Sequence, residues 1–384
     1  MTKGLKPITL LLLAGMLSGC GLKMPKWFQP EEDEDNVFHR AGNQILENVH
    51  MKPEGSYDLG EVFYHKGTEE DLRIASHYFQ NAADGGNPAA QARIGHMCLN
   101  GLGVEQDIIM GTQWLRMAAA NGVASAQLTL GDLYLGGKGI AKDYQESEFW
   151  FGEAANQGNV DGMLRLGRLY EIWQRTPEDF DKARMWYEKA AEAESPEGKF
   201  RLAHMYATGI GAKRNFKKAI TLYEAAAKEG YADAYSEMGE LYLQGLGTKR
   251  DPERAYDLFL DASEKGSGEA AFNLGVQNEL GDGVPQNYLE AAKWYELAAE
   301  RGYPYAAFRL GELYSTGSGV DLDFEEANAW YKDAADKGIG VAHIRLGDHY
   351  LNGRGVDKNA QKAFGHYMQA AFQEDPYPQY MLSV

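Results

Sequence analysis

The sequence repeats itself every 36 residues. Gly stands behind an apolar residue at 95, 131, 167, 239, 275, 311 and 347, and Ala203 follows Leu202 at the one remaining step. Leu59-Gly60 opens the series after a step of 35. On the same ruler lie aromatic pairs such as Trp186-Tyr187, Trp294-Tyr295 and Trp330-Tyr331. Four residues beyond them come small pairs such as Ala190-Ala191 and Ala334-Ala335. A chain with this period is an array of similar units, each burying its apolar face against a neighbour, rather than a single large core. Nine units fill residues 53–375: 53–87, 88–123, 124–159, 160–195, 196–231, 232–267, 268–303, 304–339 and 340–375.

Each unit predicts two helices, A and B. In 304–339, Pro304 suits the first turn of helix A, where a missing N–H costs nothing. Ala307, Leu310, Gly311 and Tyr314 recur with helical period. A Gly inside a helix costs about 1 kcal/mol relative to Ala, so its recurrence predicts a close crossing with helix B. Gly317-Ser318-Gly319-Val320 reads as a loop with positive φ. Asp323 is the expected N-cap of helix B, with Asp71, Asp107, Asp143, Asp179, Asn215, Asp251, Asn287 and Asn359 at the matching places. Ala327, Trp330, Tyr331, Ala334 and Ala335 make its apolar face.

This pattern, Ala-x-x-x-Leu-Gly-x-x-Tyr-x-x-Gly-x-Gly-Val followed by Trp-Tyr-x-x-Ala-Ala-x-x-Gly, resembles the Sel-1-like repeat family, a tetratricopeptide-like branch. The resemblance implies an all-α solenoid, a right-handed superhelix of nine two-helix repeats. It implies a scaffold for protein or peptide partners and no reaction.

The first twenty residues read as an address. Lys3 and Lys6 precede the apolar run Ile8–Leu17, which is too short for a spanning helix of roughly 20 residues. Leu17-Ser18-Gly19-Cys20 resembles a bacterial lipoprotein signal, which implies cleavage after residue 19, acylation of Cys20 and a membrane anchor of two or three chains. Gly21, where the inner-membrane sorting pattern has Asp, points to the outer membrane. Residues 20–52 then comprise the lipidated Cys, an acidic tether through Glu31-Glu32-Asp33-Glu34-Asp35, and a short lead-in helix. Residues 376–384 begin a partial repeat at Pro376.

The formal net charge of −18 becomes −20 once Lys3 and Lys6 are removed with the leader, and argues against a nucleic-acid partner. No His-Glu-x-x-His, Gly-x-Ser-x-Gly or Ser-x-x-Lys occurs. No catalytic residue, metal or cofactor is therefore expected. His343, His349 and His366 share the last unit. Members of the family that resemble β-lactam-hydrolysing enzymes carry paired Cys in each unit, whereas this chain has only Cys20 and Cys98. Cys98 replaces the Tyr of other units and reads as a buried apolar residue. Asn278 puts an amide at the same place.

Two features are candidate protein-binding elements. Arg93, Arg165, Arg201, Arg309 and Arg345 share one register on helix A, while Thr129, Glu237 and Asn273 interrupt it. The family resemblance places that stripe in a concave groove. Its guanidinium groups suit the carboxylates or carbonyls of an extended ligand, or pair with carboxylates of the chain itself such as Glu312 and Asp348. The fourth unit carries Trp173 and Arg175 where others have Gly, so its loop needs another shape. Trp173 either packs on a neighbouring loop or offers a contact to a partner. The reading that follows is an outer-membrane-anchored, periplasm-facing scaffold in an envelope assembly such as exopolysaccharide export or signalling. A surface-exposed binder of host protein and an envelope hydrolase are its alternatives.

Overall fold

The computed structural model describes residues 53–372, so the leader, Cys20, the tether, the lead-in helix and residues 376–384 lie outside the described residues. Among the described residues there are eighteen helices and no strand. They run α1 Pro53–Tyr64, α2 Glu69–Asp84, α3 Pro88–Asn100, α4 Ile108–Ala120, α5 Ala124–Gly136, α6 Tyr144–Asn156, α7 Val160–Ile172, α8 Pro177–Glu192 and α9 Pro196–Thr208. Then follow α10 Phe216–Lys228, α11 Asp233–Gln244, α12 Pro252–Glu264, α13 Gly268–Leu280, α14 Tyr288–Glu300, α15 Pro304–Thr316, α16 Phe324–Asp336, α17 Gly340–Asn352 and α18 Ala360–Phe372. Odd-numbered helices are the A helices and even-numbered ones the B helices. Two compact units divide them, one reaching Leu133 and including Gly137–Ala141, the other holding Tyr134–Gly136 and everything from Lys142. Within each unit the core is a row of side chains between successive helices, including Phe79, Ile94, Met97 and Leu115 in the first and Tyr187, Tyr223, Phe259, Tyr295 and Tyr331 in the second.

The recurrent helix-A glycine has the role its position predicts. A Cβ added to Gly311 would stand 2.5 Å from the ring of Tyr331, and one on Gly275 would stand 2.5 Å from Tyr295. The helix gives up about 1 kcal/mol of propensity and gains a fully buried aromatic ring worth roughly 1.5–3 kcal/mol. In repeats 7 and 8 the structure also decides which member of the aromatic pair is the core residue. Tyr295 and Tyr331 are fully buried, whereas Trp294 and Trp330 are only partly buried at the edge of the cluster.

The expected caps hold at Asp107, Asp143, Asn215, Asp251, Asn287 and Asp323, and Asn359 accepts the Lys362 N–H. They fail at Asp71 and Asp179, where helix B starts a turn earlier. Thr68 and Thr176 are the caps there, and the two Asp residues occupy the third helical position. Thr176 and Asp179 close a reciprocal capping box, with Asp179 N donating to Thr176 Oγ1 at 3.2 Å and Thr176 N donating to Asp179 Oδ2 at 3.1 Å. The cause is the loop. Repeats 1 and 4 lack the double glycine, so a shorter connection leaves more residues for the helix.

Elsewhere the two loop glycines divide the work, as in repeat 8. Gly317, at φ 69°, ends helix A in the left-handed conformation. Gly319, at φ 74°, lies so close to the start of α14 in the preceding repeat that a Cβ would be 2.4 Å from the Tyr288 carbonyl carbon. The Tyr register of helix A contributes its backbone too. The Cys98 and Asn278 carbonyls accept the cap N–H groups of Asp107 and Asn287 at 2.9 and 2.8 Å. That backbone function leaves the side chain variable. Cys98 is buried, which raises its thiol pKa. The Asn278 amide donates to Leu274 O at 2.8 Å and to the Tyr256 hydroxyl at 3.2 Å.

Candidate functional site

The arginine register lies on the A helices, and most of its members meet carboxylates of this chain. Arg93 grips Glu61 of repeat 1 in a two-pronged pair, 2.7 and 3.0 Å, and lies over the Tyr64 ring. Arg345 grips Glu312 of repeat 8 in the same way, at 2.8 and 3.1 Å. Arg309 pairs with Glu279 of repeat 7, and its Nε is buried without an acceptor. Burial works against the charge on Arg309, but the bond to Glu279 outweighs it and holds the pKa above the ordinary value. Arg201 shares Glu197 with Arg168. Arg165 lies over the ring of Phe151.

The pairs of Arg309 and Arg345 continue a latch inside repeats 7 and 8. The hydroxyl of Tyr295 donates to Glu279 at 2.6 Å, and that of Tyr331 donates to Glu312 at 2.6 Å. A buried tyrosine needs such an acceptor, and the acceptor in turn receives the arginine of the next repeat. Tyrosine, carboxylate and arginine thus form a chain of contacts across the joint between repeats. Sequence spacing concealed it because the carboxylate is not at one register: Glu312 follows Gly311 directly, whereas Glu279 stands four residues after Gly275.

Charge is segregated along the A helices of the second unit. Arg168 and Arg201 meet at Glu197 in repeats 4 and 5, and Arg165 stands on the same row, over the Phe151 ring. Where Glu237 and Asn273 interrupt the arginine register, the charge reverses. Burial, followed by the negative field of neighbouring carboxylates, raises the pKa values of Glu237, Glu240 and Glu269. Glu269 bears on both of the others, and Asp233 on Glu237 and Glu269. Tyr223 donates to Glu237, while Asn273 and Gln244 donate to Glu240. A carboxyl whose folded pKa is raised stabilises the fold fully below its unfolded value, near 4.3, and loses that contribution as pH rises through the folded value. Glu237→Gln combined with Glu240→Gln is therefore expected to raise the melting point at pH 7. Calorimetry should show the gain shrink as pH falls towards 4; a gain independent of pH would contradict the assignment.

Trp173 is turned onto the preceding repeat. It stacks on Tyr144 at the start of α6, with ring centroids 5.7 Å apart and planes 19° apart, and Lys142 lies over the other partner's ring at 4.6 Å. Arg175 is exposed and takes φ 60°, matching Gly67 at φ 75° in repeat 1. The histidines of the last repeat separate into two sites. His343 and His366 approach at 3.1 Å between Nδ1 atoms, while His349 bonds Asn328 at 2.7 Å. Among the described residues no three His, Cys, Asp or Glu side chains are grouped to hold a metal ion.

The Sel1 repeat model matches nine consecutive segments: 53–87, 88–123, 124–159, 160–195, 196–231, 232–267, 268–303, 304–339 and 340–373. A Sel1 repeat protein from Oxalobacter formigenes is similar in structure, with 28% identity, 86% of this chain and 98% of that chain covered, and a TM-score of 0.70. So is c5321, described as a protective antigen present in uropathogenic Escherichia coli strains and displaying an SLR fold. It shares 29% identity over 96% of this chain and 79% of its own, with a TM-score of 0.65. No curated protein matches the sequence.

Proposed function

The chain belongs to the Sel1 repeat family, a typically non-catalytic scaffold type that binds protein partners, and from that premise we propose that it is an envelope scaffold anchored to the outer membrane through Cys20. Its ligand face is the row of A helices in the second unit, along which it holds an extended partner segment. The observation that carries this is the reversal of charge along one row. Two arginines, Arg168 and Arg201, hold Glu197 in repeats 4 and 5 with Arg165 on the same row, and four carboxylates, Asp233, Glu237, Glu240 and Glu269, follow in repeats 6 and 7. A segment with acidic residues followed by basic ones matches that order in one direction only, which gives orientation as well as affinity. Arg309 serves the joint between repeats, while the more exposed Arg345 can exchange its carboxylate for that of a partner. The lipoprotein pattern at residues 17–20 supports the anchor.

Photo-crosslinkers placed at His204 and Gln244 test the face, and Cys20→Ala tests the anchor, both in intact envelopes. The expected result is protein adducts from both positions and loss of the Cys20→Ala chain from the membrane fraction together with its fatty-acid label. Absence of protein adducts from both positions would overturn the face, and unchanged membrane attachment with normal labelling would overturn the anchor. A surface-exposed binder of host protein is a second reading, supported by the similarity to a protein described as a protective antigen. Protease shaving of intact cells distinguishes it from a periplasmic scaffold.

A further inference from the structure

We propose that the loop edge of repeats 4 and 5 is a separate docking site for an acidic protein segment. Lys213, Arg214, Lys217 and Lys218 place four cations within six residues of a chain that has 38 basic and 56 acidic residues. They straddle the start of α10. An open cleft of about 560 Å³ lies beside them, lined by Arg184, Tyr206, Lys213, Arg214 and Lys218, with Asp181 as the carboxylate of its wall.

Apart from Arg184, the cations of the cleft have no counter-charge among its own groups. Arg184 is engaged by Asp181, Glu188 and the Gly211 carbonyl. Lys218 donates to the Tyr206 hydroxyl at 2.6 Å and sits 4.1 Å from its ring centre, and Arg214 donates to the Thr208 carbonyl at 3.0 Å. The contacts of Lys218 and Arg214 neutralise no charge. Among the described residues, no carboxylate forms an ion pair with Lys213, Arg214, Lys217 or Lys218.

The location is also contrary to the habit of most B helices, although α4 and α18 likewise lack a first-turn acid. The first turns of α6, α8, α12, α14 and α16 carry acids, including Glu146, Asp179, Glu253, Glu290 and Glu325, which suit the positive end of a helix. That of α10 carries Lys217 and Lys218 in their place.

The chemistry favours carboxylates on a short segment. Arg214 can take one in a two-pronged grip and the lysines can take others as point charges. A nucleic-acid duplex or an anionic membrane would extend well beyond the cleft and meet a surface whose net charge is negative.

The probe is a labelled decapeptide of glutamate, read by fluorescence anisotropy against the glutamine decapeptide. The expected result is binding of the glutamate peptide alone, weakening with added salt. Lys213→Glu with Lys217→Glu should weaken it by about tenfold or more at an unchanged or higher melting point, since both lysines are exposed and unpaired. Lys293→Glu with Lys337→Glu makes the same change in net charge on repeats 7 and 8 and should leave the affinity within about twofold. Equal binding of the two peptides, or equal loss in the two double variants, would overturn the proposal. So would tighter binding of phosphatidylglycerol vesicles or duplex DNA than of the glutamate peptide.

Discussion

Tyr295→Ala is expected to remove about 3–5 kcal/mol, in the range of large aromatic truncations in packed cores, and to do so locally. The ring is fully buried against Gly275, and its hydroxyl is held by Glu279. Stability in a repeat array is close to a sum of terms within repeats and between neighbours. Hydrogen exchange should therefore lose protection across residues 268–339 while residues 160–195 keep theirs. Trp294→Ala, at a partly buried position, should cost less. Uniform loss of protection throughout the chain would show one cooperative block and contradict this account.

Glu279→Ala is expected to cost a similar amount for a different reason. Arg309 and Glu279 have side chains only 23% and 14% exposed. Removing the acid strands a half-buried guanidinium that keeps its charge, because arginine's intrinsic pKa lies far above 7. Breaking such a pair costs about 3–5 kcal/mol, whereas replacing both partners with apolar residues is often nearly neutral. Calorimetry of Glu279→Ala beside Glu279→Leu combined with Arg309→Met and Tyr295→Phe, which leaves no member of the network buried without a partner, should show most of the loss recovered in the triple variant. Arg345→Ala, where the side chain is 45% exposed, should cost only about 0–1 kcal/mol. Similar losses for Arg309→Ala and Arg345→Ala would mean that burial does not distinguish the two pairs.

The contrast shows where sequence reading stops. The helix pairs, the close crossing at the recurrent glycine and most caps follow from local rules, each stated again in every repeat. The identity of the buried aromatic does not, because Trp294 and Tyr295 are both large and apolar, and only the angle at which helix B meets Gly275 selects one. The caps at Thr68 and Thr176 were concealed by loops of different length. The arginine row and one of its partners, Glu312, were visible, but Glu61 and Glu279 were not, since the partners lie in the preceding repeat at unequal spacing. The opposed charges of repeats 4–5 and 6–7 emerge only when neighbouring A helices stand side by side.

The second loop glycine has a consequence for how such an array changes over generations. At Gly247, Gly283, Gly319 and Gly355 an added Cβ would strike the first residues of the preceding helix B, whatever their identity: Phe216, Pro252, Tyr288 and Phe324. The fit is to the path of the chain and not to a particular side chain, so these junctions accept one another's cassettes. A duplication or deletion of 36 residues among repeats 6–9 would reproduce a compatible seam. Repeat 4 has no such glycine and joins its predecessor through Trp173 on Tyr144. That seam depends on two particular rings, and a cassette moved to or from it must carry its counterpart along.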